Sequence, residues 1–183
     1  MKYLIDLDDT LIYSTDLNND AYNYALRKYH LKTLEKNGRI TREDIKSSLI
    51  KKRIILTKQS YFCERWMPYR VIYNTALINK ISIRNKNDCY IWTKANKNRA
   101  FYIYKTCGLD KYFADIIFDK KVSFDKSIPA LLENFSDDLT IYENDVEFFH
   151  NKSAVKIDQI IFNRFNVSGF LIRFCSAHKN LRG

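Results

Sequence analysis

The segment Lys2-Tyr3-Leu4-Ile5-Asp6-Leu7-Asp8-Asp9-Thr10-Leu11 decides the interpretation of this chain. It starts with a short apolar stretch, and three carboxylates follow almost at once. This pattern is typical of a buried strand whose carboxyl end opens into an acidic loop. Open α/β sheets bind their ligands at such strand ends. The segment therefore predicts an α/β protein with a functional site at residues 6 to 9.

The composition indicates one folded domain, or a compact core with an insert, because 183 residues with 46% hydrophobic side chains can bury a core. No apolar run approaches the roughly 20 residues that span a bilayer, and the first residues lack the pattern of a signal peptide. We therefore expect a cytoplasmic protein. The four Cys and three His have neither zinc-ligand spacing nor a disulfide pattern.

The positive charge is concentrated in one part of the chain. The formal net charge is +10, and residues 14–88 carry 16 basic and 7 acidic side chains, which gives +9. A surplus of this size favours anionic partners such as phosphorylated metabolites or nucleic acid.

Alternating strand and helix patterns predict a sheet with βα connections. The predicted strands after the first are residues 89–92, 116–118, 139–142 and 169–174, whereas residues 157–165 are ambiguous between helix and strand. The predicted helices of this core are residues 100–106, which end before Gly108, and residues 128–135. Residues 14–85 have helical spacing, with a helix over 16–29, a helix start at Thr41 and a break at Pro68. These patterns divide the chain into an α/β core, residues 1–13 and 86–183, and a basic helical cap, residues 14–85.

Asp6 and Asp8 suit covalent phosphoryl transfer. One carboxylate can attack phosphorus while the other donates a proton to the leaving oxygen and later accepts one from water. Magnesium would screen the repulsion between an anionic nucleophile and an anionic phosphate. The alternative is that both residues belong to a turn or a helix cap, where Asp is common.

Five segments, taken together and in order, resemble the haloacid dehalogenase-like superfamily. Asp6–Leu11 after an apolar strand resembles its first motif, and Thr93 at the end of a strand resembles the second. Residues 109–117 are similar to the segment that precedes the third motif, in which Lys126 would be the lysine. Residues 139–147 resemble the acidic fourth motif. The similar segments cover residues 1–13 and about 88–155.

The resemblance implies a Rossmann-like parallel sheet flanked by helices, with a small all-helical cap inserted after the first strand. It implies that Asp6 is the nucleophile and forms an aspartyl phosphate, and that Asp8 acts as acid and then as base. Thr93 and Lys126 would hold the phosphate oxygens. Magnesium would be bound by Asp6, by Asp8 through its backbone carbonyl, and by Glu143.

Two assignments stay open within these motifs. Lys120 and Lys121 are alternatives to Lys126. The fourth motif usually begins with Asp where this chain has Glu143, so Asp145 or Glu147 are alternatives for completing the metal site. The presence of Asp8 favours phosphoryl transfer over carbon–halogen cleavage, because the dehalogenase branch lacks this second Asp.

The expected function is that of a magnesium-dependent phosphatase acting on a small anionic substrate, such as a nucleotide or a phosphorylated metabolite. One alternative is a weakly active or inactive protein that binds nucleic acid or another anionic partner through its basic cap, and a mutase similar to β-phosphoglucomutase is a third. The basic residues that would bind an anion include Arg39, Arg42, Lys51, Lys52, Arg53, Arg65 and Arg70. The interleaved aromatic residues suit the core of the cap better than base stacking; they are Tyr61, Phe62, Trp66, Tyr69 and Tyr73.

Overall fold

The computed structural model of the chain describes residues 1–46, 49–66, 71–121, 139–144, 159–162 and 172–173. The chain divides into two compact units. The larger comprises Met1–Tyr13 and Ile72–Ile172, and the smaller comprises Ser14–Val71 and Arg173–Gly183.

The larger unit contains a five-stranded parallel sheet. Its strands are β1 (Lys2–Ile5), β4 (Cys89–Thr93), β5 (Asp115–Phe118), β6 (Leu139–Glu143) and β7 (Gln159–Phe162). They lie in the order β5–β4–β1–β6–β7, and all neighbouring pairs are parallel. Strand β1 is central, and the later strands of the chain lie on both sides of it. This order confirms the expected Rossmann-like sheet.

The central strands are apolar because a parallel sheet is covered on both faces. Leu4 and Ile5 on β1, Ile91 and Trp92 on β4, and Ile141 on β6 are completely buried. Thr140 and Glu143 on β6 are also buried, although they are polar. The buried Glu143 lies at the carboxyl end of its strand, where a functional site was expected.

Helix α4 (Lys97–Thr106) connects β4 to β5. It begins behind Asn96, whose side chain accepts a hydrogen bond from Arg99 N at 3.2 Å. The chain leaves the helix at Gly108, whose positive φ of 62° is the left-handed conformation that ends many helices. The predicted stop at Gly108 is thus confirmed.

A second, three-stranded sheet has the order β2–β3–β8. Its strands are β2 (Ile12–Tyr13), β3 (Val71–Tyr73) and β8 (Ile172–Arg173). Strand β3 is antiparallel to β2, and helix α3 (Thr75–Ser82) follows it, capped by the side chain of Asn74. Residues 14–85 are therefore not all-helical. The boundary between the units falls at Val71 rather than after residue 85, because β3 pairs with a strand that precedes the insert.

The smaller unit contains α1 (Thr15–Lys28) and α2 (Lys51–Trp66), which pack against each other. Thr41 starts a turn rather than a helix, and Asp44 accepts the Thr41 N–H in this turn at 2.7 Å. Asn18 donates to the Ile40 carbonyl oxygen at 2.9 Å and so anchors the connection to α1. The buried residues of this core are Tyr22, Ala25, Leu26, Ile40, Ile45 and Ile54.

Two predicted features, the break at Pro68 and the helix over residues 128–135, lie outside the described residues. No helix in the described part of the chain is long and apolar enough to cross a membrane. The cytoplasmic location stays a prediction.

Candidate active site

Polar side chains gather where four neighbouring strands end. Asp6 directly follows β1, Thr93 is the last residue of β4, and Glu143 is the last residue of β6. Lys121 comes three residues after the end of β5. Because these strands are parallel and adjacent, their carboxyl ends lie along one edge of the sheet, on both sides of the central strand.

Asp6, Lys121 and Glu143 form a buried charged cluster. The Lys121 ammonium donates to Asp6 Oδ1 at 2.7 Å and to Glu143 Oε2 at 2.5 Å. The second carboxylate oxygen of Glu143 accepts the backbone N–H of Asn144 at 3.0 Å. The three side chains are between 2% and 8% exposed. Two carboxyl groups and one ammonium group are thus shielded from solvent together.

Burial sets the acid–base properties of this cluster. It raises the pKa of the Asp6 carboxyl to about 7 from its ordinary value of 3.8. The charge of Glu143 raises the Asp6 pKa further, while the Lys121 ammonium opposes both effects. Burial by itself lowers the pKa of Lys121, but attraction to Asp6 and Glu143 outweighs it, and the pKa of Lys121 is raised. Lys121 therefore stays charged in the cluster.

Lys121 is held in place from two further directions. Its backbone has a positive φ of 47°, and its N–H donates to Asp119 Oδ1 at 2.9 Å. Its Nζ lies 4.4 Å from the centroid of the Trp92 ring. Asp119 also accepts the indole N–H of Trp92 at 3.2 Å, so the turn after β5 is fastened to β4.

Asp8 makes a separate ion pair with Arg99 of α4. Arg99 Nη1 donates to Asp8 Oδ1 at 3.2 Å, and Arg99 Nη2 donates to Asp8 Oδ2. The Arg99 side chain is 5% exposed and that of Asp8 16%. The Asp8 carboxylate therefore pairs with a cation other than Lys121.

Thr93 is buried at the end of β4. Its Oγ1 accepts the backbone N–H of Ala95 at 3.2 Å, and Asn96, rather than Thr93, caps the following helix. A hydroxyl oxygen that accepts a hydrogen bond can still donate its own proton. The Thr93 hydroxyl can therefore donate to an anion at the edge of the sheet.

Comparisons with known proteins find similarity only at the level of structure. Neither a protein-family model nor a curated protein sequence matches this chain. A haloacid dehalogenase-like hydrolase of family IA, variant 3, from Entamoeba histolytica matches 81% of this chain over 78% of its own, with a TM-score of 0.66 and 18% identity. A haloacid dehalogenase-like hydrolase from Streptococcus pneumoniae matches 78% over 75%, with a TM-score of 0.61 and 15% identity.

A third match is CbbY from Rhodobacter sphaeroides, solved in complex with phosphate. The match covers 87% of this chain and 92% of the CbbY chain, with a TM-score of 0.60 and 13% identity. This chain has the haloacid dehalogenase-like fold. The resemblance that the motifs indicated is thereby confirmed for the fold.

Within the haloacid dehalogenase-like fold of this chain, the predicted site residues fall into three groups. Asp6 and Glu143 both accept hydrogen bonds from Lys121, whereas Asp8 accepts them from Arg99. Thr93 ends the neighbouring strand. The residues outside the described part of the chain are Lys126, Asp145 and Glu147. Among the alternatives for the lysine, the structure brings Lys121 to Asp6.

The described residues contain no cluster of three or more His, Cys, Asp or Glu side chains that could hold a metal ion. The Asp8 carboxylate pairs with Arg99. The chemistry of the remaining donors still suits magnesium, because Mg²⁺ binds carboxylate and carbonyl oxygens and retains several waters. Asp6 and Glu143 already face a common cation, the Lys121 ammonium.

Arg99 is the residue near the site that the sequence interpretation missed. It lies on the buried side of α4 together with Ala100 and Ile103. An arginine at a core-facing helical position needs a buried partner, since charged side chains are almost never buried unpaired. That spacing was the signal that could have identified it.

Among the described residues of the smaller unit, most basic side chains face solvent. Phe62 is completely buried, and the buried Lys58 ammonium lies 5.2 Å from its ring centroid, so Phe62 belongs to the core of this unit. Tyr61 stacks on the partly exposed Tyr24, with ring centroids 4.2 Å apart. Exposed basic residues include Arg42, Lys52, Arg53 and Arg65.

Proposed function

We propose that this chain is a magnesium-dependent phosphomonoesterase that works through an aspartyl-phosphate intermediate. The observation that carries the proposal is the buried contact of Asp6 with Lys121 beside Glu143, at the carboxyl edge of a haloacid dehalogenase-like sheet. An ammonium at this place can offset the charge of both the nucleophile and the phosphate. The phosphate found with CbbY supports an anion site in this fold.

In the proposed reaction, a carboxylate oxygen of Asp6 attacks phosphorus and the bond from phosphorus to the ester oxygen breaks. Asp8 enters this step as the neutral carboxylic acid, and the leaving oxygen takes its proton. Water then attacks the phosphorus of the aspartyl phosphate, Asp8 accepts a proton from that water, and inorganic phosphate and the Asp6 carboxylate are released. Thr93 and Lys121 hold the transferring oxygens throughout.

The Asp6 and Glu143 carboxylates and the backbone carbonyl of Asp8 would hold magnesium. A bound divalent cation would supply charge neutralisation, since two carboxylates and a phosphate dianion exceed the charge that Lys121 can offset alone. Lys121 is our assignment for the lysine of the third motif, in place of the predicted Lys126.

The charge distribution favours a small anionic substrate, such as a nucleotide or a phosphorylated metabolite. Residues 14–88 carry nine of the ten net positive charges. Such a charge raises the local concentration of anions and their rate of association. A cytoplasmic location would supply substrates of this kind.

The test is hydrolysis of p-nitrophenyl phosphate, followed by a panel of nucleotides and phosphorylated metabolites. We expect turnover that EDTA abolishes and added magnesium restores. Asp6→Asn should reduce kcat by about 10³-fold or more, because it removes the nucleophile. The control is Asp110→Asn, which alters an exposed surface ion pair of the same unit.

Native protein that shows no metal-dependent turnover would contradict the proposal. Salt-sensitive binding of single-stranded oligonucleotides without turnover would instead support a nucleic-acid-binding protein with this fold. The exposed basic residues of the smaller unit are the observation that keeps this second function open.

A further inference from the structure

We propose that Arg99 is a positioning residue that fixes the carboxylate of Asp8 for its role as acid and base. This inference rests on the proposed phosphatase function and extends it to a residue outside the motifs that indicated that function. Arg99 acts through Asp8 and does not itself contact the reacting phosphate.

The first argument is the geometry of the contact. Two different guanidinium nitrogens of Arg99 approach the two different carboxylate oxygens of Asp8. A planar guanidinium that bonds both oxygens restricts rotation of the carboxylate more than a single-point contact would. The pair is also largely shielded from water, with side chains 5% and 16% exposed, so the contact is weakly screened.

The second argument is the rigid support of Arg99. Its backbone N–H is capped by Asn96, so Arg99 lies in the first turn of α4, where its position is fixed by the helix start. The neighbouring Ala100 and Ile103 are buried, and α4 packs against β5 of the sheet. The guanidinium is therefore presented to Asp8 by a packed helix and not by a loop.

The third argument is that the backbone around Asp8 is held independently of Arg99. Asp9 has a positive φ of 61°, and its N–H donates to the carbonyl oxygen of Ile12 at 2.7 Å. The carbonyl oxygen of Thr10 accepts from Asn74 Nδ2 at 3.1 Å. Because these bonds fix the loop, loss of Arg99 should remove its two contacts from the Asp8 carboxylate without unfolding the loop.

Fixing this side chain matters because proton transfer needs the acid within hydrogen-bond reach of the leaving oxygen. Displacement of a catalytic group by about 1 Å can cost about 100-fold in rate. A carboxylate that is held less firmly would spend more of its time away from that position. The expected consequence of losing Arg99 is a slower chemical step with unchanged binding of phosphate.

The experiment compares Arg99→Met and Arg99→Lys with native protein, using p-nitrophenyl phosphate with saturating magnesium. Arg99→Met should lower kcat about 10- to 100-fold and leave KM within about threefold. The inhibition constant of inorganic phosphate should also stay within about threefold of the native value. Arg99→Lys keeps a charge but not the two-point contact, so its kcat should lie between the two.

Two controls separate positioning from a structural role. Lys105→Met alters an exposed ion pair with Asp110 on the same helix and should leave kcat within about twofold. Asp8→Asn and the double variant Asp8→Asn/Arg99→Met should have the same kcat, because Arg99 has nothing to position once the acid is gone.

Each other result overturns the inference. A folded Arg99→Lys or Arg99→Met protein with native or raised kcat excludes a positioning role, as does a further loss of kcat in the Asp8→Asn background. A raised KM and a weaker inhibition by phosphate at constant kcat would identify Arg99 as an anion-binding residue instead. Absence of turnover in native protein overturns the proposed function, and this inference with it, before any variant is compared.

Discussion

Asp6 and Asp44 are both aspartates bonded to a lysine, yet their pKa values move in opposite directions. In the larger unit, burial raises the pKa of Asp6 to about 7 although Lys121 lies 2.7 Å away. In the smaller unit, hydrogen bonds from Lys36 and from the Thr41 N–H lower the pKa of Asp44 to about 2. The difference lies in hydration, because the Asp44 side chain is 27% exposed and that of Asp6 8%.

The comparison teaches that an ion pair lowers the pKa of a carboxyl group below its ordinary value only where desolvation does not outweigh the attraction. In the buried cluster, desolvation and the nearby Glu143 outweigh the attraction of one ammonium. The larger unit therefore keeps an arrangement that is unfavourable for folding at its sheet edge, which is common at functional sites. The smaller unit uses the same two residue types for a modest local stabilisation.

The largest expected effect comes from removing the ammonium of the buried cluster. Lys121→Met should lower the free energy of unfolding by about 3–5 kcal/mol, because Asp6 and Glu143 would then face each other without a counter-charge. The methionine retains much of the apolar volume beside Trp92. Urea unfolding at neutral pH, without metal, measures the change.

The matched control is Lys120→Met, since Lys120 is the exposed neighbour in the chain. It should change the free energy of unfolding by no more than about 0.5 kcal/mol. Lys121→Met/Glu143→Gln should recover part of the loss, because it removes one of the two buried charges. Equal stability of the two single lysine variants would contradict the role given to Lys121.

A smaller effect, of opposite sign, is expected at Asp6. Asp6→Asn should raise the free energy of unfolding by about 1 kcal/mol in the absence of metal, because a buried charge is replaced by an amide of similar shape while Lys121 keeps Glu143. Chemical unfolding of the variant and the native protein in EDTA measures this. A loss of stability at this position would show that the ion pair outweighs desolvation after all.

Much of the fold was predictable because its signals are local. The apolar run at 89–92 predicted a strand that the structure places at Cys89–Thr93, and Gly108 marked the end of α4. Strand β3 was missed because its pairing with β2 joins Ile12 to Tyr73, a contact that helical periodicity does not contain. Thr41 and Asp44 form the same hydrogen bond in a lone turn as at a helix start, so their sequence could not distinguish the two.

The site residues that directly follow one strand could be predicted from the sequence. Asp6 and Asp8 follow β1 directly, and an acidic loop behind a buried strand is visible in the sequence. The lysine of the site could not be predicted, since Lys120, Lys121 and Lys126 all follow β5 in sequence. Only the turn at Asp119 shows that Lys121 reaches Asp6. Arg99 was missed because its partner, Asp8, lies 91 residues away in the sequence.

The smallest expected effect is at Asp44, the more exposed of the two aspartates compared above. Asp44→Asn keeps an oxygen for the Thr41 N–H but removes the charge that pairs with Lys36, so it should lower the free energy of unfolding at pH 6 by less than about 1 kcal/mol. Because the pKa of Asp44 is lower in the folded state, its stabilisation is present above 3.8 and is lost as the pH falls towards about 2. Urea unfolding of variant and native protein between pH 6 and pH 2 should therefore show a difference that fades with acid.

Lys36→Met should reproduce that difference, and the double variant should add nothing. A difference that persists at pH 2 would mean that the amide disturbs the turn itself, and the contrast in charge between Asp44 and Asp6 would lose its support.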